Sequence, residues 1–194
     1  MSLALDIGQG AGLASASGVR PFLPPLLAGA LARGDILGAI DFDNSGWRFL
    51  ESPGFLLAIL VLAVLSYGAE RSGFDRRALR LGLAGLGVVL GAMLFAGSLA
   101  EGDTVSWPGL VGGAAAAVLG FAAVGGLLER ARARLDEGAA GLLNAYADAA
   151  ALALAAIAIF VPPVAFLGLL ALGVLLVRGR HEGERKYAGL RILR

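Results

Sequence analysis

The chain carries five runs of apolar residues, each near the length of a membrane span. No other feature constrains its fold as strongly. Four runs are clean, at 53–69, 81–100, 108–128 and 139–161, and a fifth, 3–32, is interrupted in its middle. A shorter sixth piece covers 164–177. A hydrocarbon core about 30 Å thick takes about 20 helical residues to cross. Lipid offers the backbone no hydrogen bonds, so such runs must close their own as helices. The apolar fraction is 58%, against about 45–50% in soluble domains. A soluble fold of 194 residues cannot bury that much. The expected fold is an all-α polytopic membrane protein with about five or six transmembrane helices. Two of its segments are broken by proline and form a possible inverted repeat. Residues 1–178 read as the membrane domain and 179–194 as a basic tail. Residues 1–5 lack the basic start of a signal peptide, so the first apolar run is expected to stay attached.

Charge sets the expected orientation. All Lys and Arg except Arg20, Arg33 and Arg48 fall in 70–80, 129–138 and 178–194. Basic residues gather on the cytoplasmic side of short loops. These three segments, including the C-terminus, are therefore expected in the cytoplasm of a bacterial plasma (inner) membrane. Segments 33–52 and 101–107 are then external, with Trp47 and Trp107 as interfacial aromatics. The same argument sends 139–177 out and back, with Pro162 and Pro163 at the outer turn. The return leg 164–177 looks short for a full span unless it runs on through Gly179. Ser52 and Ser106 are cap candidates before Pro53 and Pro108, which open the next helices.

Function classes are narrowed by what is absent. The net charge of +1 gives no field for nucleic acid. There is no Cys, and the single His, His181, lies in the polar tail. No metal spacing, phosphate loop or catalytic constellation is present. The chain reads as a non-enzyme without cofactor or metal.

Two charges stand inside apolar surroundings. Arg20 sits in Ser17-Gly-Val-Arg-Pro-Phe-Leu-Pro-Pro25. A charge at membrane depth costs about 2.5–3.5 kcal/mol, so it is paired or faces water. Pro21, Pro24 and Pro25 break the helix and free carbonyls that need partners. Broken helices at that depth line cavities. Arg20 reads either as an anion-binding or gating residue, or as an interfacial arginine reaching the headgroups, or as one half of a structural ion pair. Asp148 and Asn144 are four residues apart and share a helix face. Asp148 reads either as a proton or cation site, or as the partner of Arg20, or as a polar residue facing bundle water. Pro24-Pro25 and Pro162-Pro163 can be aligned, which pairs Asp6 with Asn144 and suggests the inverted repeat. Asp6 itself, near the N-terminus, gets little weight. Gly87 and Gly91, and Gly109 and Gly113, are small-xxx-small pairs. They fit close packing within the chain or, alternatively, a homo-oligomer.

The chain also resembles a bacterial membrane-protein family, the domain of unknown function 4126 family. The resemblance rests on Gly18-Val-Arg20-Pro-Phe22-Leu-Pro24, Ser52-Pro53 opening a Leu-rich helix, Glu70-Arg71 with Asp75, and Asp148 on a late helix. It implies a helical membrane fold and location but no activity. The chain departs from the family pattern at Ser66 and Ala147, where acidic residues are expected. The expected function is a small transporter or lipid-carrier permease with a broken-helix site of Arg20, Asp148 and Asn144. The alternative is a membrane scaffold or assembly factor. The expected partners are the lipid bilayer and an anionic lipid or small anion.

Overall fold

The computed structural model describes residues 3–36, 38–43, 45–71, 76–101, 105–132 and 137–188. Side chains of Arg71, Arg76, Arg77, Arg132 and Arg134, and those of 180–194, lie outside the described residues. The described chain forms seven α-helices and one 3-10 turn. The helices are α1 (Leu3–Val19), α2 (Leu23–Arg33), α3 (Pro53–Arg71), α4 (Arg76–Glu101), α5 (Trp107–Arg132), α6 (Glu137–Phe160) and α7 (Pro162–Ala188). Arg48–Glu51 make the 3-10 turn. Helices α3 to α7 are each long and apolar enough to cross a membrane.

The expected interruption of 3–32 is a hairpin. Pro21 bars helix continuation at the break, and Pro24 and Pro25 fall in the first turn of α2, where the missing N–H groups cost nothing. The chain then folds back, because Ala39 meets Gln9 on α1 through a hydrogen bond of 2.8 Å. Helix direction alternates along the chain. One end of the bundle gathers the start of α1, the segment 34–52 and the α4–α5 turn. The other, arginine-rich end holds Arg20, Glu70 and Asn144. Ser52 caps α3 as expected, its hydroxyl accepting from the Phe55 N–H at 3.3 Å.

Helix α1 is the core. Its residues from Gly8 to Gly18 are all buried, and it packs against α4, α5, α6 and α7. Gly and Ala dominate it because the neighbouring backbones come close. A Cβ on Gly18 would overlap the Ala117 carbonyl, and one on Gly120 would overlap that of Ser15. Gly87 lies under the Ser17 carbonyl and Gly91 under Ala14, while Gly109 and Gly113 meet the α4 backbone at Ala96 and Ala92. All four paired glycines therefore serve contacts within the chain, not an oligomer face. The large apolar side chains point the other way. Leu57, Val64 and Leu65 on α3, Val118 on α5 and Leu167 and Leu170 on α7 are exposed. An apolar exterior around a small-residue interior is the pattern of a lipid-solvated bundle.

The short sixth piece does run on through Gly179, as α7, with a span from Pro162 to Gly179. It continues to Ala188, so the division at 178/179 falls inside a helix. The two proline breaks that can be aligned in the sequence lie apart in the fold. Pro162 packs against Gly8, about 18 Å along α1 from Arg20 at 1.5 Å per residue. The two broken pairs run in opposite directions, as inverted repeats do, but their breaks sit at opposite ends of the bundle.

Candidate functional site

The site grows from the hairpin tip. Arg20 follows the last turn of α1, and Pro21 stops the helix there, so the guanidinium leaves the small-residue core at the arginine-rich end. Helix α6 brings Asn144 and Asp148 on one face. That face continues as Ala147, Ala151, Ala155 and Ala158, all buried, so alanines let α6 lie close against α1. Helix α3 approaches from the other side. Its inward stripe is Phe55, Ile59, Ala63, Tyr67 and Glu70, one turn apart along the helix. Phe22, Ile59, Ala63 and Leu90 form a small apolar cluster with Tyr67 and Leu83 beneath the charges.

Arg20 is clamped between two carboxylates. Its Nε lies 2.6 Å from Asp148 Oδ1, and its Nη1 lies 3.4 Å from Glu70 Oε1. Its Nη2 donates to the Asn144 carbonyl at 3.2 Å. Asn144 Nδ2 donates to Glu70 Oε2 at 3.4 Å, which closes the ring. The Tyr67 hydroxyl faces the Asp148 carboxylate. The Arg20 side chain is 13% exposed and the two carboxylate side chains 26% each. Arg20 is therefore partnered, and the reading in which it reaches the headgroups alone does not hold. The expected meeting of Arg20, Asp148 and Asn144 does hold.

Glu70 and Tyr67 were missed as site residues. The sequence signal was there, since both lie on the only inward stripe of an otherwise lipid-facing helix. With Glu70 the cluster holds one guanidinium and two carboxylates. A free anion would have to displace a carboxylate to reach Arg20, whereas a proton would be received without displacement.

A crevice of about 20 Å³ lies beside Arg20, lined by Pro21, Phe22, Ser66, Tyr67, Glu70 and Leu83. That is room for a single water. Ser66, where the family pattern has an acid, donates to the Leu62 carbonyl at 2.7 Å. Ala147 is 3% exposed and faces the core. A wider, shallow groove of about 280 Å³ separates α5 from α7, with Arg130 and Gly179 at its arginine-rich end. No group of three or more His, Cys, Asp or Glu side chains able to hold a metal occurs among the described residues.

The sequence model of the family described as Domain of unknown function (DUF4126) matches residues 7–181. The chain belongs to the DUF4126 family. The match takes in most of α1, all of α2 to α6 and most of α7, so the hairpin tip, the α3 stripe and Asp148 all lie within the DUF4126 region. No curated protein and no solved structure matches the chain. Family and fold together make it a multi-pass integral membrane protein.

Proposed function

We propose that this DUF4126 protein is a small permease of the bacterial inner membrane. The Arg20 cluster is its site and α3 its moving gate. The observation that carries the reading is that α3 is held by polar contacts at one end and by little else. Along its length it meets α2, the 3-10 turn and a short stretch of α4, and most of its side chains face outward. Its arginine-rich end is tied to the core through Arg20–Glu70 and Asn144–Glu70. Loss of the Glu70 charge would weaken both ties, free α3 and widen the crevice beside Arg20. The distribution of Arg and Lys supports a cytoplasmic position for this end. A second reading, a membrane scaffold, is favoured by the solid packing around α1.

Accessibility separates the two. The chain lacks cysteine, so Ser66→Cys places one thiol in the crevice. A permease presents its site to both sides in turn. The thiol should react with a membrane-impermeant maleimide from the cytoplasmic face in inverted vesicles, and also, more slowly, from outside in intact cells. Cysteines in 33–52 and 101–107 should label only from outside. Reaction of Ser66→Cys from one side alone, at every pH between 5 and 8, would leave the scaffold as the reading. Labelling of the C-terminal tail in intact cells would reverse the orientation.

A further inference from the structure

A second polar cluster lies at the opposite end of the bundle, and the permease site does not use it. Asp6 and Gln9, one turn apart on α1, are each 1% exposed. Among the described residues, both carboxylate oxygens of Asp6 and the amide oxygen of Gln9 lack a hydrogen-bond partner, and so does Glu101 Oε2 on α4. The Asp6 carboxylate sits near the start of α1, where the helix dipole favours a negative charge, but no donor of the described residues reaches it. Gln9 is fixed in orientation, because its Nε2 donates to the Ala39 carbonyl, which leaves its oxygen to face a ligand. Glu101 accepts the N–H of Asp41, two residues further along the same segment, and lies within electrostatic reach of Asp6. The segment 39–42 thus anchors both Gln9 and Glu101. It is itself seated by Ile40 and Phe42, which are 2% and 1% exposed.

Buried polar atoms left without partners are rare, and buried charges pair or bind metal. We propose that Asp6, Gln9 and Glu101 form a site for one divalent cation beside the segment 39–42. Three arguments select the ligand. The free atoms are all oxygens, the donors that hard divalent cations take. They are not hydrogen-bonded to one another, so no shared proton already satisfies them. Oxygens bound to one such ion at about 2.3–2.6 Å stand further apart than hydrogen-bonded ones. Two carboxylates also neutralise a dication, which a low-dielectric site requires. Backbone carbonyls and water complete the shell, as is usual for calcium and magnesium. The surroundings are acidic. Asp41 lies within electrostatic reach of Glu101, Asp41 and Asp43 lie within reach of Glu51, and the only ion pair at this end among the described residues is Arg48–Asp43.

The test uses the full-length protein in detergent at pH 7, stripped with a chelator. Equilibrium dialysis with radioactive calcium should give saturable binding near one ion per chain. Thermal melts should rise with calcium or magnesium and not with sodium chloride at equal ionic strength. Asp6→Asn and Glu101→Gln should each lose binding and the melting shift. Their melting points without calcium should equal or exceed that of the parent, because each removes an unpaired charge. Three results overturn the proposal: no saturable binding, an equal shift from sodium chloride, or a calcium shift that survives in both variants. If instead the parent's melting point tracks pH, ignores calcium, and loses its pH dependence in Asp6→Asn, Asp6 holds a proton and the cation site is wrong.

Discussion

Arg20→Ala is expected to destabilise the protein by about 3 kcal/mol or more, because removing one partner of a buried pair leaves the other uncompensated. Here it leaves two carboxylates, Glu70 and Asp148, facing each other with no cation between them. Asp148→Ala and Glu70→Ala should each cost less, about 1–2 kcal/mol, since Arg20 keeps the other carboxylate. The effects will not add. Arg20→Ala with Asp148→Ala should be milder than the sum of the singles by at least about 1 kcal/mol, because each change removes the other's orphan. Arg20→Lys should rescue only partly, as an ammonium cannot span two carboxylates and a carbonyl with one planar fork. Thermal or denaturant unfolding of the purified set reads all of this. Additivity within about 0.5 kcal/mol would mean that the three side chains do not act together.

Gly120→Ala is expected to be the other severe substitution, at about 3 kcal/mol or enough to prevent folding. The new methyl would run into the Ser15 carbonyl, and backbone on both sides leaves nothing flexible to give way. The control is nearby on the same helix. Gly125 and Gly126 have open space where a Cβ would sit. Alanine there should be neutral or stabilise by up to about 1 kcal/mol, the usual helix preference over glycine. Expression level and melting point of Gly120→Ala and Gly125→Ala, compared side by side, check this. Equal behaviour would contradict the central place of α1.

Which features could be read from the residues depended on how local their cause was. The spans were legible because lipid acts on each helix separately, and 20 apolar residues suffice to identify one. The Arg20–Asp148 pair was legible because few charges sit in apolar surroundings and each needs a partner. Asn144 followed from its helical spacing to Asp148. Glu70 was harder. Placing the end of its helix at Ala69 put it in a loop, although α3 runs on to Arg71. Two more helical residues carry Glu70 onto the inward stripe. The alignment of the two proline breaks said nothing of where they sit, because equal motifs on antiparallel hairpins lie at opposite ends of the bundle. Asp6 was undervalued for a long-range reason. It is buried only because the hairpin returns and the segment 39–50 covers that end with Ile40, Phe42 and Leu50.

The central claim is that the Arg20 cluster latches a moving α3 rather than riveting a static bundle. It is tested most directly by spin labels on Gly68→Cys in α3 and Gly126→Cys in α5, two positions where an added side chain meets nothing. Pulsed electron resonance on the reconstituted protein reads the distance between them. The account predicts two distances, with Glu70→Gln shifting the population toward the longer one by loosening the ties to Arg20 and Asn144. A single narrow distance, unchanged by Glu70→Gln, would contradict it.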